Sequence, residues 1–380
     1  MLALGRELVQ RGHRVTYETW ERWREPVQAA GMNFLPAPEH PAFPTRERPL
    51  QPYEAVVLAT AHTRPAVAQT RPDVVVHDIL TLAPALAGEL EGLPVATLIP
   101  HVYPVGAPGL PPYAFGARMP RTGLGRTLWR GFDRPVASGL TRGRQELNDT
   151  RRQLGLAPVT RFHGGLSTEL VLVGTYPELE YPRAWPGHVH IVGPLIWEPP
   201  APPVAPPPGD TPLVLVAPST AQDPEHRLLR AALAGLGREP VRVLATWNRR
   251  PIDGPAAIAA NTRLVEWISY AETMPECALV ICHAGHGTMV RALASGAAVL
   301  TVPHVGDMAE NAARADWAGL GVRLPWSLLG SRTLALAVRH ALERPQLGSA
   351  VRRLNAANPA GAGPARAADL LEQLARRGRD

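Results

Sequence analysis

"CALVICHAGHGTMVRALASGAAVLTVPHVGDMAEN", residues 277–311, reads as one strand, turn, helix and strand in succession. An apolar run ends near Cys282 and a Gly-rich turn, "HAGHG", follows it; the spacing then predicts a helix that starts at about Gly287 or Thr288 and stops near Gly296. "AVLTVPH" returns as the next strand, and a right-handed crossover brings both strand ends to one edge of a parallel sheet. Gly285 and Gly287 let a ligand approach the backbone, while the first amides of the helix lack intrahelical partners and are backed by its dipole. That is the form of an anion site. His283 contributes an imidazole at the strand end and Thr288 a hydroxyl. Asp307, a few residues past the second strand, offers a carboxylate that accepts hydrogen bonds from hydroxyl groups. Singly, these are a common turn, an ordinary histidine and a helix cap; together on one sheet edge they point to a diphosphate beside a hydroxylated group, as in a nucleotide sugar.

Working outward, the same strand and helix rhythm fills the chain. Before this unit come "PLVLVAPS", a helix around "HRLLRAALAGLG", "VRVLATW" and "TRLVEWI", and the chain closes on a helix near "ARAADLLEQLARRG". The first half alternates likewise: "RVTYETW", "DVVVHDIL", "PVATLIPH", then "TELVLVGT" and "HVHIVGPL". Between its third and fourth strands lies a long Pro- and Gly-broken stretch, "HVYPVGAPGLPPYAFGARMPRTGLG", where an open α/β sheet shapes a pocket. The sharpest boundary is Pro-rich, from Pro199 to Pro208, a stiff extended linker. The expected fold class is therefore α/β, with two Rossmann-like parallel-sheet domains facing a cleft. The expected division is 1–197, a linker at 198–211, a second domain at 212–358, and a C-terminal helix at 359–380 packing back towards the first.

Composition narrows the function. With 380 residues, 45% hydrophobic and 19% charged, the chain suits two globular domains. Its formal charge is +6, but every basic residue is Arg and the arginines are scattered, which argues for codon bias and against a nucleic-acid partner. No apolar run is long enough to span a bilayer, and Arg6 and Glu7 interrupt any leader-like start, so a cytoplasmic protein without a membrane partner is expected. Cys277 and Cys282 flank a buried-strand pattern and point away from disulfide, metal or redox use. No acidic metal cluster is apparent, and no cofactor is expected.

The segment "HAGHGTMVRALASGAAVLTVPHVGDMAENAARADWAGLG" resembles the donor-binding signature of bacterial natural-product glycosyltransferases related to the UDP-glycosyltransferases. "ELVQRGHRVTYET", "RPDVVVHD", "YPRAWPGHVHIVGPL" and "GPARAADLLEQLA" extend the resemblance over nearly the whole chain. It implies the GT-B fold and an inverting, metal-independent transfer of a sugar from a UDP or TDP donor to a hydroxyl of a hydrophobic acceptor, with a homodimer as a possible assembly. It also implies that His283, Thr288 and the backbone at Gly285 and Gly287 hold the diphosphate, with Ser219 and Thr220 facing it. Trp267 and Ile268 would bind the base and Asp307 the sugar. Met308 departs from the glutamine common in relatives, and the expectation is a deoxysugar against an apolar patch.

The resemblance further implies a histidine base oriented by Asp78, carried on a strand and loop upstream of Met1. The expectation is an upstream extension of about fifteen to twenty residues. His13 belongs to the far end of the first helix, and His101 stands at a suitable sheet edge without matching the motif. The rival readings are a noncatalytic nucleotide-binding relative that has lost its base, and a nucleotide-sugar epimerase, for which the extra acids and bases are missing.

Overall fold

The computed structural model describes residues 1–38, 54–161, 163–219, 223–252, 257–304 and 306–378. Its first half runs α1 (Leu2–Gln10), β1 (Thr16–Thr19), α2 (Arg24–Ala29), β2 (Asn33–Pro36), α3 (Glu54–Thr70), β3 (Val75–Asp78), α4 (Ala83–Leu90), β4 (Val95–Ile99), α5 (Gly123–Arg130), α6 (Asp133–Gln153), β5 (Leu170–Val173) and β6 (Val189–Ile191). The second half runs β7 (Leu213–Ala217), α7 (Arg227–Leu236), β8 (Arg242–Thr246), β9 (Thr262–Val265), α8 (Tyr270–Thr273), β10 (Leu279–Cys282), α9 (His286–Ala294), β11 (Ala298–Thr301), α10 (Met308–Trp317) and β12 (Gly321–Arg323). Three helices follow: α11 (Ser331–Leu342), α12 (Pro345–Ala357) and α13 (Ala362–Arg377).

In the second half six strands form one parallel sheet in the order β12-β11-β10-β7-β8-β9. β7, β10 and β11 are continuous apolar runs, "LVLVA", "LVIC" and "AVLT", and every residue in them is buried. That is the pattern of parallel strands covered on both faces, each large side chain contributing about 1.5–3 kcal/mol of burial. The order reverses between β7 and β10, and α9 begins beside this switch point, where open α/β sheets bind ligands.

The first half is built differently. Its strands form two parallel sheets, β1-β2 and β3-β4-β5-β6. Beside the first of these lies a cavity of about 270 Å³ lined by Met1, Tyr17, Thr19, Trp23, Leu195 and Trp197. The Met1 amino group is buried and lies within electrostatic reach of Asp78, burial lowering its pKa and the carboxylate opposing.

Residues 198–212 carry no regular structure. The last helix returns to the first half. Ala367, Ala368, Leu371 and Leu374 of α13 share a core with Leu4, Leu98 and Leu172, and Arg11 binds Asp369 at 2.6 Å.

Candidate active site

The turn between β10 and α9 is set by its backbone. Ala284 is fully buried and adopts the left-handed conformation, φ 63°, a strained position for a residue with a Cβ. Gly285 is the N-cap, so the helix opens at His286, one residue before the sequence expectation; no side chain caps it. A Cβ on Gly285 or Gly287 would meet nothing within 4 Å. Beside the uncapped first turn the Cβ positions of both glycines therefore face open space, and the protein's own packing does not require either glycine. Gly287 is exposed and Thr288 half-buried on this turn.

His283 is 1% exposed. Its Nδ1 accepts the backbone N–H of Ser219 at 2.9 Å, so in the neutral ring the proton sits on Nε2, which lies 3.3 Å from Asp223 Oδ2 and off the line of a good hydrogen bond. Burial lowers its pKa to about 4 against the opposing pull of Asp223. Asp223 itself accepts the Arg227 and Leu228 amides at 2.9 and 3.0 Å, fixing the start of α7. The ring thus joins the ends of β7 and β10 to α7, holding the Ser219 amide in place. Thr220 lies outside the described residues.

Asp307 is the half-buried N-cap residue of α10. Its Oδ2 accepts from Asn311 Nδ2 at 3.1 Å, and the same amide group donates to the Ala284 carbonyl at 3.0 Å. One fully buried side chain therefore ties the carboxylate to the glycine-rich turn. Met308 is buried against Ala284 and Ala312, beneath that turn. Trp267 is half-buried with the Arg249 guanidinium 4.7 Å from its ring centroid, while Ile268 is core.

The first half closes on this site through His101 and Asp78, which the sequence reading named, and through several residues it did not single out. The His286 ring is buried, with Nε2 3.0 Å from Thr175 Oγ1; burial pulls its pKa to about 3. Gly116, φ 60°, seats against the start of α10, where a Cβ would come 2.6 Å from that of Ala309. Its carbonyl accepts from Arg323. Arg314 of α10 pairs with Glu180 and Glu310, and Glu180 also accepts the Tyr103 amide at 2.6 Å. Burial raises the Tyr113 pKa, and Asp307 and Glu310 raise it further. His101 at the end of β4 has Nδ1 2.8 Å from the Val102 carbonyl. A carbonyl only accepts, so Nδ1 carries the proton and Nε2 the lone pair. Asp78, at the end of β3, accepts the Leu80 amide at 2.9 Å.

Among the described residues no cluster of three or more His, Cys, Asp or Glu forms a metal site. Both cysteines are buried, which raises Cys277 to about 12 and Cys282 to about 11.

Two parallel-sheet α/β halves closed on each other are the architecture of the GT-B fold. The comparisons agree. Residues 230–374 match the family "Erythromycin biosynthesis protein CIII-like, C-terminal domain". The chain is 28% identical to 4'-demethylrebeccamycin synthase of Lentzea aerocolonigenes, over 98% of this chain and 96% of that one. The solved glycotransferase of kitacinnamycin superposes with a TM-score of 0.77 at 20% identity, covering 98% of this chain and 94% of its own. The glycosyltransferase VinC in complex with dTDP gives 0.71 at 19%, covering 99% and 96%. The chain is a glycosyltransferase related to those of natural-product biosynthesis, and its second half carries the EryCIII-like C-terminal domain.

Proposed function

We propose that the chain moves a sugar, with inversion, from a UDP or dTDP donor to a hydroxyl of a hydrophobic natural product. The observation that carries this is the uncapped start of α9, open in front of Gly285 and Gly287 and linked through Asn311 to Asp307. In this reading residues 212–358 bind the donor and residues 1–197 the acceptor, with 198–211 as linker and 359–380 as the helix that spans them. The α9 amides and Thr288 take the diphosphate, with Ser219 facing it on the turn that His283 holds; Asp307 takes sugar hydroxyls; Trp267 and Ile268 border the base.

Chemistry follows from that arrangement. The acceptor oxygen attacks the anomeric carbon from the face opposite the diphosphate, and the departing C–O electron pair is stabilised by the α9 dipole. The acceptor hydroxyl passes its proton to a base on the first-half side, where Asp78 and His101 Nε2 lie at neighbouring strand ends. Solved VinC holds dTDP. That favours a dTDP donor, and Met308 packed under Ala284 in place of a hydrogen-bonding side chain favours a deoxysugar.

The test is mass spectrometry of the chain incubated with a panel of UDP- and dTDP-sugars and polycyclic or macrolide aglycones, beside calorimetry with UDP and dTDP. A sugar-mass adduct and measurable nucleotide heat are expected. Asp307→Ala should cut transfer by about 100-fold and spare nucleotide binding, as loss of a charged hydrogen bond to the sugar predicts. Absence of heat and adduct together rejects the reading, and clear preference for fully hydroxylated hexoses rejects the deoxysugar.

A further inference from the structure

The segment from Arg121 to Val136 projects from the first half with nearly every residue exposed. Leu124 is 72% exposed, Leu128 67%, and Phe132 and Val136 stand further along the same row. These four recur every fourth residue. Arg126, Arg130 and Arg134 recur every fourth residue too, two positions out of step. At 100° per residue the two rows lie on opposite sides of the helix. Gly131 and Phe132, which join α5 to α6, keep helical dihedrals, so the rows continue across the junction. Phe115 packs on Trp129 and Phe132, and Gly109 lies against the backbone of Arg126. The projection is therefore fixed to the loop that reaches Asp307.

We infer that α5 and the first turn of α6 dock on an anionic lipid surface, with Leu124, Leu128 and Phe132 inserted and the arginines at headgroup level. Charge points to the occupant: Arg121, Arg126, Arg130 and Arg134 meet no carboxylate among the described residues, and Asp133 is the one acid on the segment. An apolar row opposite an arginine-rich face is the pattern of a helix lying in the bilayer interface. A second copy of the chain fits less well. A row one helix wide supplies far less than the roughly 800 Å² per partner of a stable dimer, whereas a bilayer needs no complementary shape. No described helix is long and apolar enough to cross a membrane, so the contact lies along the surface. Docking there would bring the loop that packs on α5 close to lipid, the phase in which the hydrophobic acceptor of the proposed function concentrates.

The experiment is co-sedimentation of the full chain with phosphatidylcholine vesicles, with and without about one third phosphatidylglycerol. The bound fraction should rise about tenfold on anionic vesicles and fall between about 0.1 M and 0.5 M salt. Leu124→Ser with Leu128→Ser, both exposed and so compatible with an unchanged melting temperature, should abolish binding. Arg126→Gln with Arg130→Gln should remove the lipid-charge preference. Equal binding to neutral vesicles, no binding, or full binding by the serine variant overturns the inference. So does a dimer in light scattering that the serine variant dissolves. No sugar donor enters this assay, so its failure leaves the transfer reading standing, and failure of transfer leaves this one standing.

Discussion

The two halves hold their strand ends by opposite means. In the second half one continuous sheet delivers Ser219, Trp267, His283 and Asp307 to a single edge, and buried side chains such as His283 and Asn311 lock the loops above it. In the first half the strands divide into two sheets, and the corresponding edge is completed by a long loop, residues 101–121, that leans on the other half through Gly116 and, by way of Glu180 and Arg314, through Tyr103. A site made from backbone amides on a rigid sheet suits a constant chemical group such as a diphosphate. A site made from a loop seated on a neighbour suits a ligand whose shape differs from one enzyme to another.

Three measurements break or sharpen that contrast. The largest effect is expected at the contact between the halves. Glu180→Ala leaves the buried Arg314 guanidinium with Glu310 as its remaining carboxylate partner and frees the Tyr103 amide, so stability should fall by about 2–3 kcal/mol. Chemical denaturation measures it, and a loss below about 1 kcal/mol would mean that the loop holds its place without the ion pair.

Next comes acid. His283 and His286 stay neutral in the fold, at about 4 and about 3 against an ordinary 6.5, because burial penalises their charged forms. Below pH 6.5 the unfolded chain takes up protons that the fold refuses. Stability is therefore full above that pH and declines as pH falls, by about 1.4 kcal/mol per unit for each ring. Burial lowers His77, His163 and His190 as well, so His286→Asn should flatten the slope between pH 6.5 and 5 only in part; an unchanged slope would place the acid sensitivity wholly in other groups.

The smallest effect is the most discriminating. Gly287→Ala meets no atom and replaces a poor helix former, so the fold should gain up to about 1 kcal/mol. The same methyl group would stand where the diphosphate is proposed to lie, and dTDP affinity should drop about tenfold by calorimetry. Affinity kept at the wild-type value would show that the ligand does not approach there.

The parts legible in the sequence are those encoded within a few neighbouring residues. The strand, turn and helix of residues 277–311 are a local signal, and the α/β class follows from the repetition of such units. What the sequence could not display depends on distant contacts. The His286 ring reads as one more residue of a Gly-rich turn, yet its partner is Thr175, 111 positions away. Arg249 over the Trp267 ring, and Met308 turned beneath Ala284, are likewise set by packing between elements. Asp223 had a usable signal, an acid shortly before the helix "RLLRAALAGL", but its service to His283 depends on β10, which pairs with β7 although it lies far along the sequence.

The return of α13 to the first half has a consequence for how the molecule is made. Leu4, Leu98 and Leu172 emerge from the ribosome early, but the apolar surface that covers them arrives with Ala367, Leu371 and Leu374. During synthesis the second half can complete its own core while the first waits, partly uncovered, for the closing helix. Nascent chains arrested before residue 362 should therefore need chaperone protection over their N-terminal portion, although that portion was translated first.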